Sequence, residues 1–469
     1  MPPLRKNEFQ NKIILPRREA VVAAETDVLV VGGGPAGIGA AIGARQSGAD
    51  VILAERYGFF GGNATAALVM PLMSFHTQIP KNEKEGVVSL MPTDHGEGKP
   101  VIAGVLYILL ERLIKAGGAI APSKKTGYVV PFDPEIFKIT IQDLLDDYGV
   151  SYLLHSFASG IIKNDKPEGV IFETKSGPVV IKSKVIVDCT GDGDIAYFAG
   201  ADYETGRRGD KLVQPMTLMF RIADFIKEDF DSYVKQNPTQ WRGVHGLWDL
   251  INKAAENNEL TLMREDILFF GTPHKNEVSI NSTRVTKVLG TDVYDLTYAE
   301  WESRRQMKQI YHFLKKYVPG FQNSYIMQSG VNVGVRETRR ITGKYQLTGK
   351  DILQAKKFDD VIARGSYPVD VHNPEGQGTI LKKLPPGESY DIPLRCLIPE
   401  GVETILTAGR CISGTHIAHS SYRVMPVSMA TGHAAGVAAA ISAKSNTSTQ
   451  EINFKDVQSE LIKQGANLG

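Results

Sequence analysis

The chain's first strong pattern is an apolar run, Val28-Leu29-Val30-Val31, that meets Gly32-Gly33-Gly34 and resumes one helix length later as Val51-Ile52-Leu53-Ala54. Two strand-length apolar runs around a glycine turn and an Ala/Gly-rich segment predict a strand, a helix and a second, parallel strand. Residues 101–116 carry helical spacing and stop at Gly117-Gly118. Asp133-Pro134 predicts the start of another helix over 135–148, ended by Gly149. Short strands are predicted at 151–158, 169–174 and 178–181, then a buried one, Val185-Ile186-Val187-Asp188. The polar, Pro- and Gly-bearing stretch 77–100 predicts an exposed loop.

From 201 to 395 the texture changes. Strand-like pieces at 215–223, 267–271 and 277–284 alternate with helices and long loops. Thr297-Tyr298-Ala299-Glu300 has capping-box spacing, with Thr297 as cap and Glu300 returning at N3, ahead of a helix carrying Trp301, Ile310, Phe313, Leu314 and Tyr317. The last part returns to the first texture. Residues 404–410 predict a strand and tight turn, and Pro426 opens an Ala/Gly-rich helix to 440. A polar linker at 444–451 then precedes a short helix stopped by Gly465.

The opening unit carries a dinucleotide fingerprint. Gly32 permits the tight turn, Gly34 lets backbone N–H groups approach a pyrophosphate, and Gly37 lets the helix pack on the strand. Pro35 and Ala36 open that helix, so its N-terminus faces negative charge. Glu55, 23 residues after Gly32 at the end of the second strand, can accept both hydroxyls of an adenosine ribose, with Arg56 beside it.

Composition narrows the class. With 469 residues, two connected domains are expected. Fifty-three Lys plus Arg against 52 Asp plus Glu give a net charge of +1, which argues against a nucleic-acid binder. Residues 1–19 are polar without an apolar h-region, and the longest apolar stretch, 101–110, is too short to span a bilayer. A cytoplasmic protein without membrane partners is expected. Three widely spaced cysteines, Cys189, Cys396 and Cys411, argue against a disulfide framework, a zinc site or an iron–sulfur cluster.

Three separated segments fit one cofactor, FAD. The first unit takes pyrophosphate and ribose. The strand ending in Cys189-Thr190-Gly191-Asp192-Gly193-Asp194 has the pattern by which flavoproteins of the glutathione-reductase fold hold the far side of FAD. Ala408-Gly409-Arg410 and the helix from Pro426, with Gly432 inside it, complete the set, the helix N-terminus aimed at the flavin N1–C2=O edge. The chain here resembles the FAD-dependent oxidoreductases distantly related to fumarate reductase flavoproteins. The resembling stretches are Gly61-Gly62-Asn63-Ala64-Thr65, residues 334–340, Tyr367-Pro368-Val369-Asp370-Val371-His372-Asn373-Pro374, and 408–436. The expected fold is α/β: a Rossmann-like FAD-binding domain of glutathione-reductase type with an inserted α+β substrate domain. Its first part spans 20–200, the insertion 201–395, and its C-terminal part 396–443, with 444–469 a linker and terminal helix. Expected FAD contacts come from the residues named above together with Phe157.

The departures from known groups also matter. No Cys-x-x-x-x-Cys lies near the flavin, no second G-x-G-x-x-G is present, and the substrate-clamping Arg-Gly-Glu of fumarate reductases is missing, which puts fumarate itself in doubt. FAD is expected to be non-covalent, with His76 the loose alternative. The expected activity is hydride transfer between flavin N5 and a small polar substrate that could carry a carboxylate. A flavin monooxygenase and an FAD-carrying electron-transfer subunit are the rivals. An electron donor or acceptor of unassigned kind is required, and a homo-oligomer is allowed. Candidates for the chemistry are His416, His419 and Arg423, just before Pro426, with Arg336 and His372 closing the site from the insertion. His416 and His419 read equally as packing histidines. Arg336, Arg339 and Arg340 have the spacing of a solvated helix face or an anion clamp, with Glu337 an internal partner. His95, His245 and His312 read as ordinary surface histidines.

Overall fold

The computed structural model describes residues 3–4, 13–79, 88–91, 98–124 and 126–469. Most of the expected 77–100 loop, including His95, lies outside the described residues, as does most of 1–19.

The opening unit folds as its pattern dictates. Strand β1 (Val21–Val31), helix α1 (Pro35–Gln46) and strand β2 (Val51–Ala54) form a parallel strand–helix–strand unit. With β3 (Ser151–Leu153), β4 (Phe157–Lys163), β5 (Pro167–Thr174) and β6 (Gly177–Asp188) they build one sheet in the order β3-β2-β1-β6-β5-β4. The expected strand 151–158 is therefore two strands, broken at 154–156. Those expected at 178–181 and 185–188 are one. The C-terminal strand Ile405–Thr407 joins the same sheet, parallel to β6. Register aligns four carboxyl ends: Val31 pairs with Ala54 and Asp188, and Thr407 with Asp188. Gly32, Glu55, Cys189 and Ala408 consequently start their turns side by side, where open α/β sheets bind ligands.

The helix Met425–Ser445 lies against α1 at backbone distance. A Cβ on Gly432 would sit 1.9 Å from the Ala36 carbonyl oxygen, and one on Gly436 2.0 Å from that of Ala40. Ala/Gly richness here is a packing requirement, since only bare backbone lets the two helices approach so closely. Leu347, Ile352, Ile362, Tyr390 and Leu394 from within 201–395 also enter this core.

A second core lies under a six-stranded antiparallel sheet drawn from 220–329. Phe230, Trp241, Phe269 and Phe321 fill it, and the helix Val293–Tyr317 covers it with Ile310, Phe313 and Leu314. That helix starts four residues before the expected cap. Asp292 is the N-cap and accepts from the N–H groups of Tyr294 and Asp295. Thr297 already lies inside the helix, its hydroxyl donating to the Val293 carbonyl, and Glu300 accepts the Val333 N–H instead. Two T/D-type caps competed, and the earlier carboxylate won.

Candidate active site

Along the aligned carboxyl ends runs a cleft lined by Gly32, Gly34, Pro35, Ala36, Glu55, Arg56, Gly62, Asn63, Phe157, Thr190, Gly191, Gly409 and Arg410, each expected at a cofactor. Gly34 caps α1 with no side-chain hydrogen bond, so the first N–H groups of the helix stay open towards the cleft. A Cβ on Gly34 would meet only the Gly62 Cα, at 3.6 Å. Buried Glu55 accepts from the Gly33 N–H at 2.6 Å and the Tyr57 N–H at 2.9 Å, and burial raises its pKa. A carboxylate has about four acceptor sites, so two remain for a ribose.

The other expected contacts stand behind this wall. Gly37 packs on β1: its Cβ would fall 1.7 Å from the Gly32 carbonyl oxygen. Gly61 donates its N–H to the Gly33 carbonyl, Ala64 is buried, and the Thr65 hydroxyl donates to the Phe60 carbonyl. Asp192 accepts from Arg410 and from the Thr338 hydroxyl, and Gly432 sits in the helix crossing. These residues shape the cleft and do not line it.

A second cavity of about 510 Å³ opens off the first, sharing Asn63, Arg410, Arg423 and Met425 with it. The shared wall is the start of the helix Met425–Ser445, whose N-cap, Val424, makes no side-chain bond. Arg264, Arg336, Arg410 and Arg423 line the second cavity against only Asp266 and Asp370 among its carboxylates. Arg336 donates to the Pro215 carbonyl (2.7 Å) and the Thr217 hydroxyl (2.6 Å). Burial and the charges of Arg423 and Arg284 bring it down to about 9. The Arg423 Nε is buried without a partner among the described residues. Asp370 faces the His372 Nε2 at 3.4 Å and the Arg423 Nη2 at 3.5 Å, and accepts from the Tyr367 hydroxyl at 2.8 Å. Burial holds His372 down at about 4, with Asp370 opposing, so it is neutral near pH 7; its Nδ1 lies 3.2 Å from Arg284.

Two groups the sequence left aside stand here. His245 Nδ1 lies 2.8 Å from Asp266, which also accepts from Arg264 at 2.9 Å. Against burial, the His245 bond and the Arg264 charge hold Asp266 at about 2. His245, expected as an ordinary surface histidine, is thus oriented by a carboxylate at a cavity wall. No local motif marks it, because its partner is 21 residues away across a strand pair.

Other expectations shift. His416 and His419 line neither cleft. His416 Nδ1 bonds the buried Glu337 at 2.9 Å, and His419 is fully buried with Nδ1 3.5 Å from Gln214. The cause is a 94° bend between their helix, His416–Tyr422, and the next, which brings only the elbow at Arg423–Pro426 to the clefts. Arg336, Arg339 and Arg340 form no helix face: 339–341 is a strand, Arg339 pairs with Asp194 at 2.8 Å, and Arg340 pairs with Glu337. His76 packs beside Tyr128 and Phe75, away from the cofactor cleft. Cys411 is buried, its thiol near the Asp188 and Ala408 carbonyls, and burial raises its pKa well above the usual thiol value.

The family model described as FAD dependent oxidoreductase matches residues 27–461. The chain belongs to that family. It is an FAD-dependent enzyme with a Rossmann-like α/β cofactor domain, and the cleft's open helix end, bare Gly34 and spare Glu55 lone pairs fit FAD. No curated protein matches the enzyme. Solved structures similar to it include a geranylgeranyl bacteriochlorophyll reductase-like protein from Thermoplasma acidophilum, at 12% identity over 94% of this chain and 84% of that one, TM-score 0.44. Others are p-nitrophenol 4-monooxygenase from Pseudomonas putida (9% identity, 94% and 85%, TM-score 0.46) and a myxobacterial chondrochloren halogenase (12%, 93% and 78%, 0.45). Likeness this remote says nothing of the oxidoreductase's substrate. Among the described residues no single helix of the oxidoreductase is long and apolar enough to cross a membrane.

Proposed function

We propose that the enzyme moves a hydride between FAD and a carboxylated small molecule held in the 510 Å³ cavity. The observation that carries this reading is the excess of arginine over carboxylate in a cavity that shares a wall with the cofactor cleft. When bound, FAD supplies hydride chemistry at N5. The protein's part is to hold and protonate. Arg336 and Arg423, which both line the cavity, hold the substrate carboxylate. His245, kept in one tautomer by Asp266, exchanges the proton that accompanies the hydride. His372 is bonded on both ring nitrogens, which suits it to fixing Arg284 and Asp370. The same reading takes the cofactor domain as the glutathione-reductase type, supported by the return of Ile405–Thr407 to the first sheet, and keeps distant kinship to fumarate reductase flavoproteins. The segment between those two parts then supplies the substrate domain.

Anaerobic bleaching of the bound flavin by a panel of carboxylates tests the proposal. One or more acids should bleach it while the matching amides do not. Arg336→Gln should raise the half-saturating concentration about tenfold or more. His245→Gln should slow bleaching about a hundredfold with FAD retained. Equal bleaching by acid and amide would remove the anion clamp. Oxygen uptake with a hydroxylated product would transfer the site to the monooxygenase reading.

A further inference from the structure

Behind the substrate cavity lies a larger one of about 1470 Å³ that shares no residue with the cofactor cleft. The two-stranded hairpin of Val369–His372 and Thr379–Lys382 is the partition. Side chains alternate across it: Asp370 and His372 face the substrate cavity, Val369 and Val371 the other, and Thr379 lines both.

The charge of this cavity is one-sided. Arg207, Arg208, Lys211, Arg340, Lys350 and Lys382 line it with Glu204 as the sole acidic residue. Arg207 is bridged to Asp210 and Glu375, and Arg340 to Glu337, whereas Arg208, Lys211, Lys350 and Lys382 have no acidic partner among the described residues. In a chain of net charge +1 this is a local concentration of positive charge. The floor is aliphatic, made by Val369, Val371 and Leu353, and the rim carries Ile417 and Ile380, 48% and 57% exposed. No Phe, Tyr or Trp lines it, and the one ring that does, His416, is held by Glu337 at 2.9 Å, so nothing favours a stacked base.

We propose that this cavity binds one amphipathic anion, an aliphatic body with a phosphate or carboxylate head. A second copy across a twofold axis would set the same cations against each other, which charge disfavours. A bilayer would meet the rim, but the buried floor at Val369 and Val371 lies below it. A single molecule reaches both.

The test is calorimetric titration of the FAD-loaded enzyme with monomeric dodecyl phosphate. Saturable one-to-one binding that leaves the flavin spectrum unchanged is expected. The double variant Arg208→Glu, Lys350→Glu and the single variant Ile417→Asp, both on exposed side chains, should each weaken it about tenfold or more. Inorganic phosphate should bind far more weakly. Arg336→Gln, in the substrate cavity, should leave binding intact. Binding lost in Arg336→Gln, or unaltered in the other two variants, overturns the assignment. So does capture of the protein by phosphatidylglycerol vesicles that depends on Arg208 and Lys350 while dodecyl phosphate fails to bind.

Discussion

Two glycines of the cofactor domain, Gly34 and Gly432, separate ligand approach from folding. Gly34 has φ −75° and ψ −173°, extended backbone that any residue adopts, and the nearest atom to an added Cβ is the Gly62 Cα at 3.6 Å. Gly34→Val should therefore fold. Its direct effect on the apoprotein is about 0.5–1.5 kcal/mol at the N-cap, largely offset by about 0.4–1 kcal/mol from lost unfolded-state freedom. The side chain instead enters the cleft, where backbone N–H groups would approach the pyrophosphate. Hydrogen bonds to a charged group are worth about 1.5–3 kcal/mol each. Losing two would weaken FAD by about 3–6 kcal/mol, roughly two to four orders of magnitude in Kd. Gly432→Val is the contrast: its Cβ would lie 1.9 Å from the Ala36 carbonyl oxygen, so the helices must part and the apoprotein itself is destabilised. Flavin fluorescence quenching during titration of apoprotein reads the first effect, and urea unfolding of apoprotein reads the second. Wild-type FAD affinity in folded Gly34→Val would refute the placement of the pyrophosphate.

Three further outcomes follow from buried polar groups. Arg221 donates to Glu277 at 2.7 Å, to Gln328 at 2.9 Å and to Asp133 at 3.1 Å; Asp133 keeps His274 and two backbone N–H groups, but Arg221→Met strands the buried Glu277 carboxylate and should cost about 3–5 kcal/mol in urea unfolding; a loss below about 1 kcal/mol would contradict it. His433, brought down to about 4 by burial, accepts protons more readily when unfolded, so its contribution is present above the unfolded pKa and lost as pH falls from about 6.5 towards 4. His433→Gln should flatten that part of the stability–pH profile, and an unchanged slope would count against it. His419→Ala should lower stability by about 2–4 kcal/mol through the hole it leaves, with flavin bleaching at the wild-type rate; a hundredfold slower rate would restore His419 to the chemistry.

What the sequence disclosed was local. The apolar run from Val28, glycine turn, helix and closing Glu55 sit within 28 residues, and each link is set by its neighbours, so pattern alone picked out residues that line one cleft. The 510 Å³ cavity is assembled from Arg264, Arg336, Asp370 and Arg423, brought together from separate stretches, and no spacing rule spans such gaps. Reasoning by proximity to Pro426 picked His416 and His419, but helix direction decides what a neighbouring residue faces, and the 94° elbow turned them inward.

The hairpin at Val369–His372 shows how much a short strand can add once its conformation is known. Read as a string, Val-Asp-Val-His is unremarkable alternation. Folded as a strand with a period of two, it must put both polar side chains on one side and both valines on the other. Because each side opens on a cavity, the alternation gives one wall a charged face towards the 510 Å³ cavity and an apolar face towards the 1470 Å³ one. A one-residue slip against Thr379–Lys382 would exchange the faces, burying Asp370 and His372 under the larger cavity and stripping Arg423 of its carboxylate. Register in this hairpin is thus a condition for the proposed carboxylate clamp as well as for the fold.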